Sequence, residues 1–143
     1  MLTDIAGVIG YCNSHNLLLN VDKTQAIIIG TQRYLTKLNE LGMSPLRIND
    51  CVIPYSNSVN NLGVIFDPTL NWNEHCIFVA QKVFGILAQL RRSFSFIPPN
   101  IRKLLVSSLI FPVFDYASVV FTDMSAGNNL KLQRLQDACI RFI

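Results

Sequence analysis

An α+β fold is the class this sequence predicts, and three observations predict it. Short β-branched runs crowd the chain up to Phe66, turn-forming residues separate them, and after Asp67-Pro68 the apolar positions switch to stripes spaced three and four apart. The first part therefore reads as a helix followed by strands, and the second as a bundle of helices. The change of character divides the chain into residues 1–70 and residues 71–143.

In the first part, Ile5, Val8, Ile9 and Cys12 fall on one face of a helix over residues 2–14, with Thr3 or Asp4 as the N-cap oxygen. Asn13, Ser14, His15 and Asn16 end it, because their side chains compete for backbone hydrogen bonds and Asn tolerates left-handed geometry. Ala26-Ile27-Ile28-Ile29, stopped by Gly30, has the pattern of a strand buried on both faces. Leu35, Leu38 and Leu41, closed by Gly42, predict a short helix or ordered loop over residues 33–42. Leu46-Arg47-Ile48 and Cys51-Val52-Ile53 predict a hairpin turning on Asn49-Asp50, residues that accept positive φ. Residues 59–66 predict one more strand, giving three adjacent strands in a small antiparallel sheet.

In the second part, Asn71 or Asn73 caps a helix running to about Phe94, with Val79, Val83, Ile86, Leu87, Leu90 and Phe94 as its apolar stripe. Arg91 and Arg92 fall in its last turn, where cations offset the exposed carbonyls. Pro98-Pro99-Asn100 breaks the chain and starts another helix from Ile101, which Pro112 kinks by removing a backbone donor. Ser125-Ala126-Gly127-Asn128 reads as a loop. A last helix over residues 129–143 carries Leu132, Leu135, Cys139 and Phe142 on one face and Lys131, Arg134 and Arg141 outside it.

Composition narrows the function. Half of the 143 residues are hydrophobic and only 15% are charged, against roughly a quarter in an average soluble domain, so the chain can bury a core and still have surface to cover. Residues 1–70 hold four basic and five acidic side chains, whereas residues 71–143 hold eight and four, which places the net +3 in the helical part. Surplus Lys and Arg there is compatible with gripping phosphates. Cys12, Cys51, Cys76 and Cys139 form no Cys-x-x-Cys pair; the nearest approaches to a metal set are Cys12 with His15 and His75 with Cys76. They read as buried reduced thiols in an intracellular protein without a signal peptide, and no metal site is expected. Residues 104–121 contain a single charge, Asp115, over a length near that of a bilayer span. Pro112, Asp115 and Tyr116 in its middle favour a buried, kinked core helix instead, because a mid-membrane Asp costs several kcal/mol.

Three strings then stand in fixed order: Asn16-Leu17-Leu18-Leu19-Asn20-Val21-Asp22-Lys23-Thr24, Leu62-Gly63-Val64-Ile65-Phe66-Asp67, and Leu70-Asn71-Trp72-Asn73-Glu74-His75. Lys131-Leu132 with Gln136, Ile140 and Arg141 follows. This ordered set resembles the region after the catalytic loop in reverse transcriptases of non-LTR retrotransposons, the jockey-type group in particular, and the resemblance covers nearly the whole chain. Phe121 departs from it, standing where tryptophan is more usual.

The resemblance implies residual palm elements (a helix, a strand and a small antiparallel hairpin sheet) followed by an all-helical, truncated thumb. It places Lys23 beside the incoming nucleotide's phosphates, where an ammonium stabilises a departing pyrophosphate. It makes Leu62, Gly63 and Val64 a primer grip, in which Gly63 lets a nucleic-acid backbone approach. It makes Arg91, Arg92, Arg102, Lys103, Lys131 and Arg134 contacts to template and primer phosphates. Trp72 is expected to pack between sheet and helices, and His75 to be a surface or packing residue. The adjacent carboxylates that two-metal phosphoryl transfer requires are missing from this chain, so no catalytic residue is assigned, no cofactor is expected, and Mg2+ belongs only to a complete enzyme.

The expected function is that of a polymerase fragment, inactive alone and at most a weak binder of an RNA/DNA hybrid or primer-template. Its expected partners are that nucleic acid and the missing front half of the polymerase. The open apolar edge of the Ala26 run also predicts self-association. The alternative is a membrane-associated or protein-interaction module centred on residues 104–121, the membrane version being the less favoured.

Overall fold

The computed structural model describes residues 2–48, 51–121 and 123–143. It is a mixed α+β chain whose strands form two small antiparallel hairpin sheets, and it divides into two compact units, Met1–Val59 and Asn60–Ile143. The expected boundary after residue 70 would have left the 59–66 segment with the first part. Instead Val64 shares a cluster with Trp72 and Phe121 of the second.

The first unit contains α1 (Leu2–Ser14), a single 3-10 turn (Val21–Lys23), α2 (Gln32–Leu41), β1 (Leu46–Ile48) and β2 (Cys51–Ile53). α1 begins at Leu2, so Thr3 and Asp4 fall within its first turn. Asn16, at φ 54°, ends it in the left-handed conformation foreseen for Asn. α2 is capped by Thr31, whose hydroxyl accepts from the Tyr34 amide, and closed by Gly42 at φ 73°. β1 and β2 pair antiparallel with Leu46 opposite Ile53 and Ile48 opposite Cys51. The proposed turn residues Asn49 and Asp50 lie outside the described residues.

The Ala26–Ile29 run does not become a strand. Ala26 makes one parallel bridge to Tyr55, its carbonyl accepting from the Ser56 amide at 2.7 Å, while Ile29 is half-exposed. A strand buried on both faces needs neighbours on both sides, and a two-residue contact supplies neither a ladder nor a cover. Among the described residues of this unit only Ile48 and Ile53 are buried, and Leu18 and Leu41 are largely exposed.

β3 (Val59–Asn61) starts at the boundary between the units, and a tight turn at Leu62-Gly63 joins it to β4 (Val64–Phe66). Residues 59–66 are thus a hairpin and not one strand, because two successive positive φ values reverse the chain. Then come α3 (Asn73–Arg92), a 3-10 turn (Phe94–Phe96), α4 (Pro99–Leu105), a π-helical turn (Val106–Ile110), α5 (Phe111–Asp115), a 3-10 turn (Ser118–Phe121) and α6 (Ala126–Ile140). The last helix starts earlier than residue 129, since the Ser125 hydroxyl accepts from the Asn128 amide and caps it.

The expected kink at Pro112 takes a specific form. Proline has no amide hydrogen, and its ring would press on the carbonyl four residues back. The turn before it widens, so that the Phe111 amide bonds to the Val106 carbonyl five residues earlier. Val106 and Ile110 from that turn are fully buried against Val83 and Leu87 of α3 and Leu135 and Cys139 of α6. The apolar stripes of α3 and α6 therefore meet as the sequence implied, except Phe94, which lies beyond the helix and is 42% exposed. The 104–121 stretch is broken into four short elements, and no helix among the described residues is long and apolar enough to cross a membrane.

Candidate functional site

The residues from Leu62 to His75 form one continuous piece of structure. Leu62 and Gly63 have φ of 50° and 84°, the pair of left-handed values that a two-residue hairpin turn needs. The Asn60 side chain accepts from the Gly63 amide at 3.0 Å. Tyr116, 54 residues later, donates its hydroxyl to the Leu62 carbonyl. A Cβ on Gly63 would sit 3.4 Å from the Tyr116 ring, so the open side of this glycine is filled by a tyrosine and not left for a backbone to approach. Leu62 itself is 84% exposed at the tip, while Val64 is buried beneath it.

Asp67 organises the next turn. Its Oδ1 accepts from the Thr69 amide at 3.0 Å, the Thr69 hydroxyl at 2.8 Å and the Asn71 amide at 3.3 Å, and its Oδ2 accepts from the Trp72 amide at 3.0 Å. Burial works against the carboxylate, but these hydrogen bonds outweigh it and hold its pKa below the ordinary value. They also fix Leu70 and Trp72 at φ of 55° and 64°, conformations that cost bulky residues roughly 1–2 kcal/mol each. The Asn71 side chain accepts from the Asn73 amide at 2.8 Å just ahead of α3, whose N-cap position is Trp72, without a side-chain cap, and not the expected Asn71 or Asn73.

Trp72 packs with Val64 and Phe121, with Phe66 meeting it edge-on at 5.5 Å, as expected for a residue between sheet and helices. His75 resolves to a packing residue. It is 3% exposed, its Nδ1 accepts from the Ile65 amide at 3.3 Å, and its Nε2 is buried without a hydrogen-bond partner. With Nδ1 as acceptor, the neutral ring carries its proton on Nε2. Burial lowers its pKa.

The basic side chains differ in their contacts. Arg102 donates to the Ile97 carbonyl at 2.8 Å and the Phe94 carbonyl at 2.9 Å, and its guanidinium lies 3.4 Å from the Phe94 ring centre. It ties the α3–α4 connection together through carbonyls of its own chain. Lys131 donates to the side-chain oxygens of Asn73 at 2.7 Å and Asn128 at 3.3 Å, and the Asn128 side-chain Nδ2 donates to the Asn71 carbonyl at 2.9 Å. It therefore joins the N-termini of α3 and α6. Phe94 meets Phe142 at the other ends of those helices, so the two run in the same direction. Arg91, Arg92, Lys103 and Arg134 are exposed.

Lys23 belongs to the first unit. It is the exposed last residue of the 3-10 turn, its amide donating to the Asn20 side chain at 3.1 Å, while the Thr24 hydroxyl donates to the Asn20 carbonyl at 2.9 Å. The Asn-x-x-Lys-Thr string is thus a self-capped turn. Of the four cysteines, Cys76 and Cys139 are the expected buried thiols, with pKa raised by burial, but Cys51 is exposed and Cys12 partly so, because neither short element of the first unit is covered.

Sequence reading missed Lys82 and Tyr116. Lys82 stands alone in the middle of α3, and Tyr116 entered only as a polar interruption of the 104–121 stretch. Comparison with protein-family models, curated proteins and solved structures finds no match for this chain.

Proposed function

We propose that the chain is the end of the palm and the thumb of a reverse transcriptase of the non-LTR retrotransposon type, lacking the catalytic aspartates and acting at most as a weak binder of primer-template. The observation that carries this reading is the continuity of its motif residues: Leu62, Gly63, Val64, Asp67, Trp72 and His75 are joined through one turn, one carboxylate and one helix start. An exposed leucine held in a left-handed turn is a costly choice for a tip with no contact to make, and it suits a grip on a nucleic-acid end. Arg91, Arg92, Lys103 and Arg134 supply the exposed cations of the same unit. In this reading Lys23 contacts phosphates only in a complete polymerase, and Mg2+ and the front half enter with it.

Binding of a labelled RNA/DNA hybrid by the full chain across a salt series tests the proposal. The apparent affinity should fall with rising salt, the logarithmic slope losing about one unit for each phosphate-contacting arginine replaced. Absence of affinity at low ionic strength rejects the reading.

A second reading, a protein-interaction module, draws on the exposed Leu104, Leu109, Phe111 and Val119 in the 104–121 stretch. Self-association, expected from the open edge of the Ala26 run, is a separate proposal. A monodisperse monomer in size-exclusion chromatography would set it aside.

A further inference from the structure

Beside the Leu62-Gly63 turn lies a cleft of about 330 Å3, walled by Phe78, Val79, Pro112, Val113 and Tyr116, with Lys82 and His75 completing it. The lining is mostly hydrocarbon, no carboxylate contributes to it, and the volume lies at the lower end of the roughly 300–1,000 Å3 typical of small-molecule sites. Its polar groups are all of one kind. Lys82 is exposed, with its ammonium 5.8 Å from the centre of the Phe78 ring, which places a full positive charge over an apolar wall. His75 forms part of the wall, and its buried Nε2–H has no acceptor among the described residues. The Tyr116 hydroxyl is already committed to the Leu62 carbonyl.

We propose that this cleft binds a small amphiphilic carboxylate: a compact aromatic or branched apolar body against Phe78, Val113 and Tyr116, with its acid group toward Lys82. An amine is disfavoured by the same ammonium, and a strongly polar ligand by the walls. A neutral analogue retains the apolar burial but loses a charge-assisted hydrogen bond. This site goes beyond nucleic-acid binding, since it needs neither a duplex nor the exposed arginines.

The experiment is an NMR titration of the isotopically labelled full chain with 4-phenylbutyrate, and separately with 4-phenylbutanol. The acid should bind with a dissociation constant below ~1 mM, its shift changes centred on Gly63, Lys82, Val113 and Tyr116. Lys82→Met, which keeps the stem and removes the charge, should weaken the acid about tenfold and leave the alcohol unchanged. Val113→Phe should abolish both by filling the space. Should that variant misfold, the shift map of the unaltered chain decides the location on its own. No binding of the acid, equal binding of acid and alcohol, insensitivity to Lys82→Met, or shifts centred elsewhere would each overturn the proposal.

Discussion

The hydroxyl of Tyr116 donates to the carbonyl of Leu62 across 54 residues of sequence, tying the end of the π-interrupted helical segment to the tip of the β3–β4 hairpin. The bond lies at an exposed position and has one neutral donor and one neutral acceptor. Tyr116→Phe should therefore cost about 0.5–1 kcal/mol in chemical denaturation and raise amide exchange at Gly63. An unchanged exchange rate would mean that the hairpin holds its shape unaided.

Two glycines should respond in opposite directions to alanine. Gly63, at φ 84° with Tyr116 beside it, should lose about 1–2 kcal/mol as Gly63→Ala. Gly85, exposed in the interior of α3 with nothing within 4 Å of its Cβ position, should gain about 0.5–1 kcal/mol as Gly85→Ala. Paired thermal melts check both, and the same sign for the two would contradict the assigned backbone.

His75 and Asp67 set the acid limb of stability. The folded His75 pKa lies below 6.5, so the unfolded chain binds the extra proton and stability falls as pH drops from about 6.5 toward the folded value. The local slope approaches ~1.4 kcal/mol per pH unit. His75→Asn keeps an acceptor for the Ile65 amide but does not titrate, and should flatten this limb. The depressed Asp67 pKa acts lower: its contribution is present above 3.8 and is lost as pH falls through the folded value. Denaturant midpoints measured from pH 3 to pH 8 would expose both phases, and a His75→Asn profile identical to that of the unaltered chain would refute the first.

Asp67→Ala frees the amides of Thr69, Asn71 and Trp72 at once. A loss of about 2–3 kcal/mol is expected, larger than for a single cap. Near-neutral stability would show that the turn does not depend on the carboxylate.

Arg102 and Arg92 should separate folding from nucleic-acid binding. Arg102→Gln removes two carbonyl contacts and the stack on Phe94, lowering stability by about 1–2 kcal/mol with the salt slope of hybrid binding unchanged. Arg92→Gln should do the reverse, leaving the melt in place and reducing the slope by about one unit. Identical behaviour of the two variants would argue against sorting them by their contacts.

Where an element is held by its own sequence, it was legible. The periodic stripes of α1, α3 and α6, the glycine closing α2 and the proline opening α4 each act within a few residues, so spacing alone predicts them. The Ala26 run and the 59–66 segment were misread because strand formation depends on what lies beside a segment, and Leu62-Gly63 lacks the Asn or Asp that usually announces a tight turn.

At the candidate site the division is sharper. The sequence determined that Leu62, Gly63, Asp67, Trp72 and His75 stand in order and that the basic surplus belongs to residues 71–143. Only the tertiary structure decided that Gly63 faces Tyr116, that Arg102 is spent on carbonyls while Arg92 is free of them, and that His75 and Lys82 share one apolar cleft. Spacing along a chain specifies which face of a helix or strand a residue occupies. Contacts made across 50 residues depend on how those faces dock, and that is settled by packing the whole unit at once.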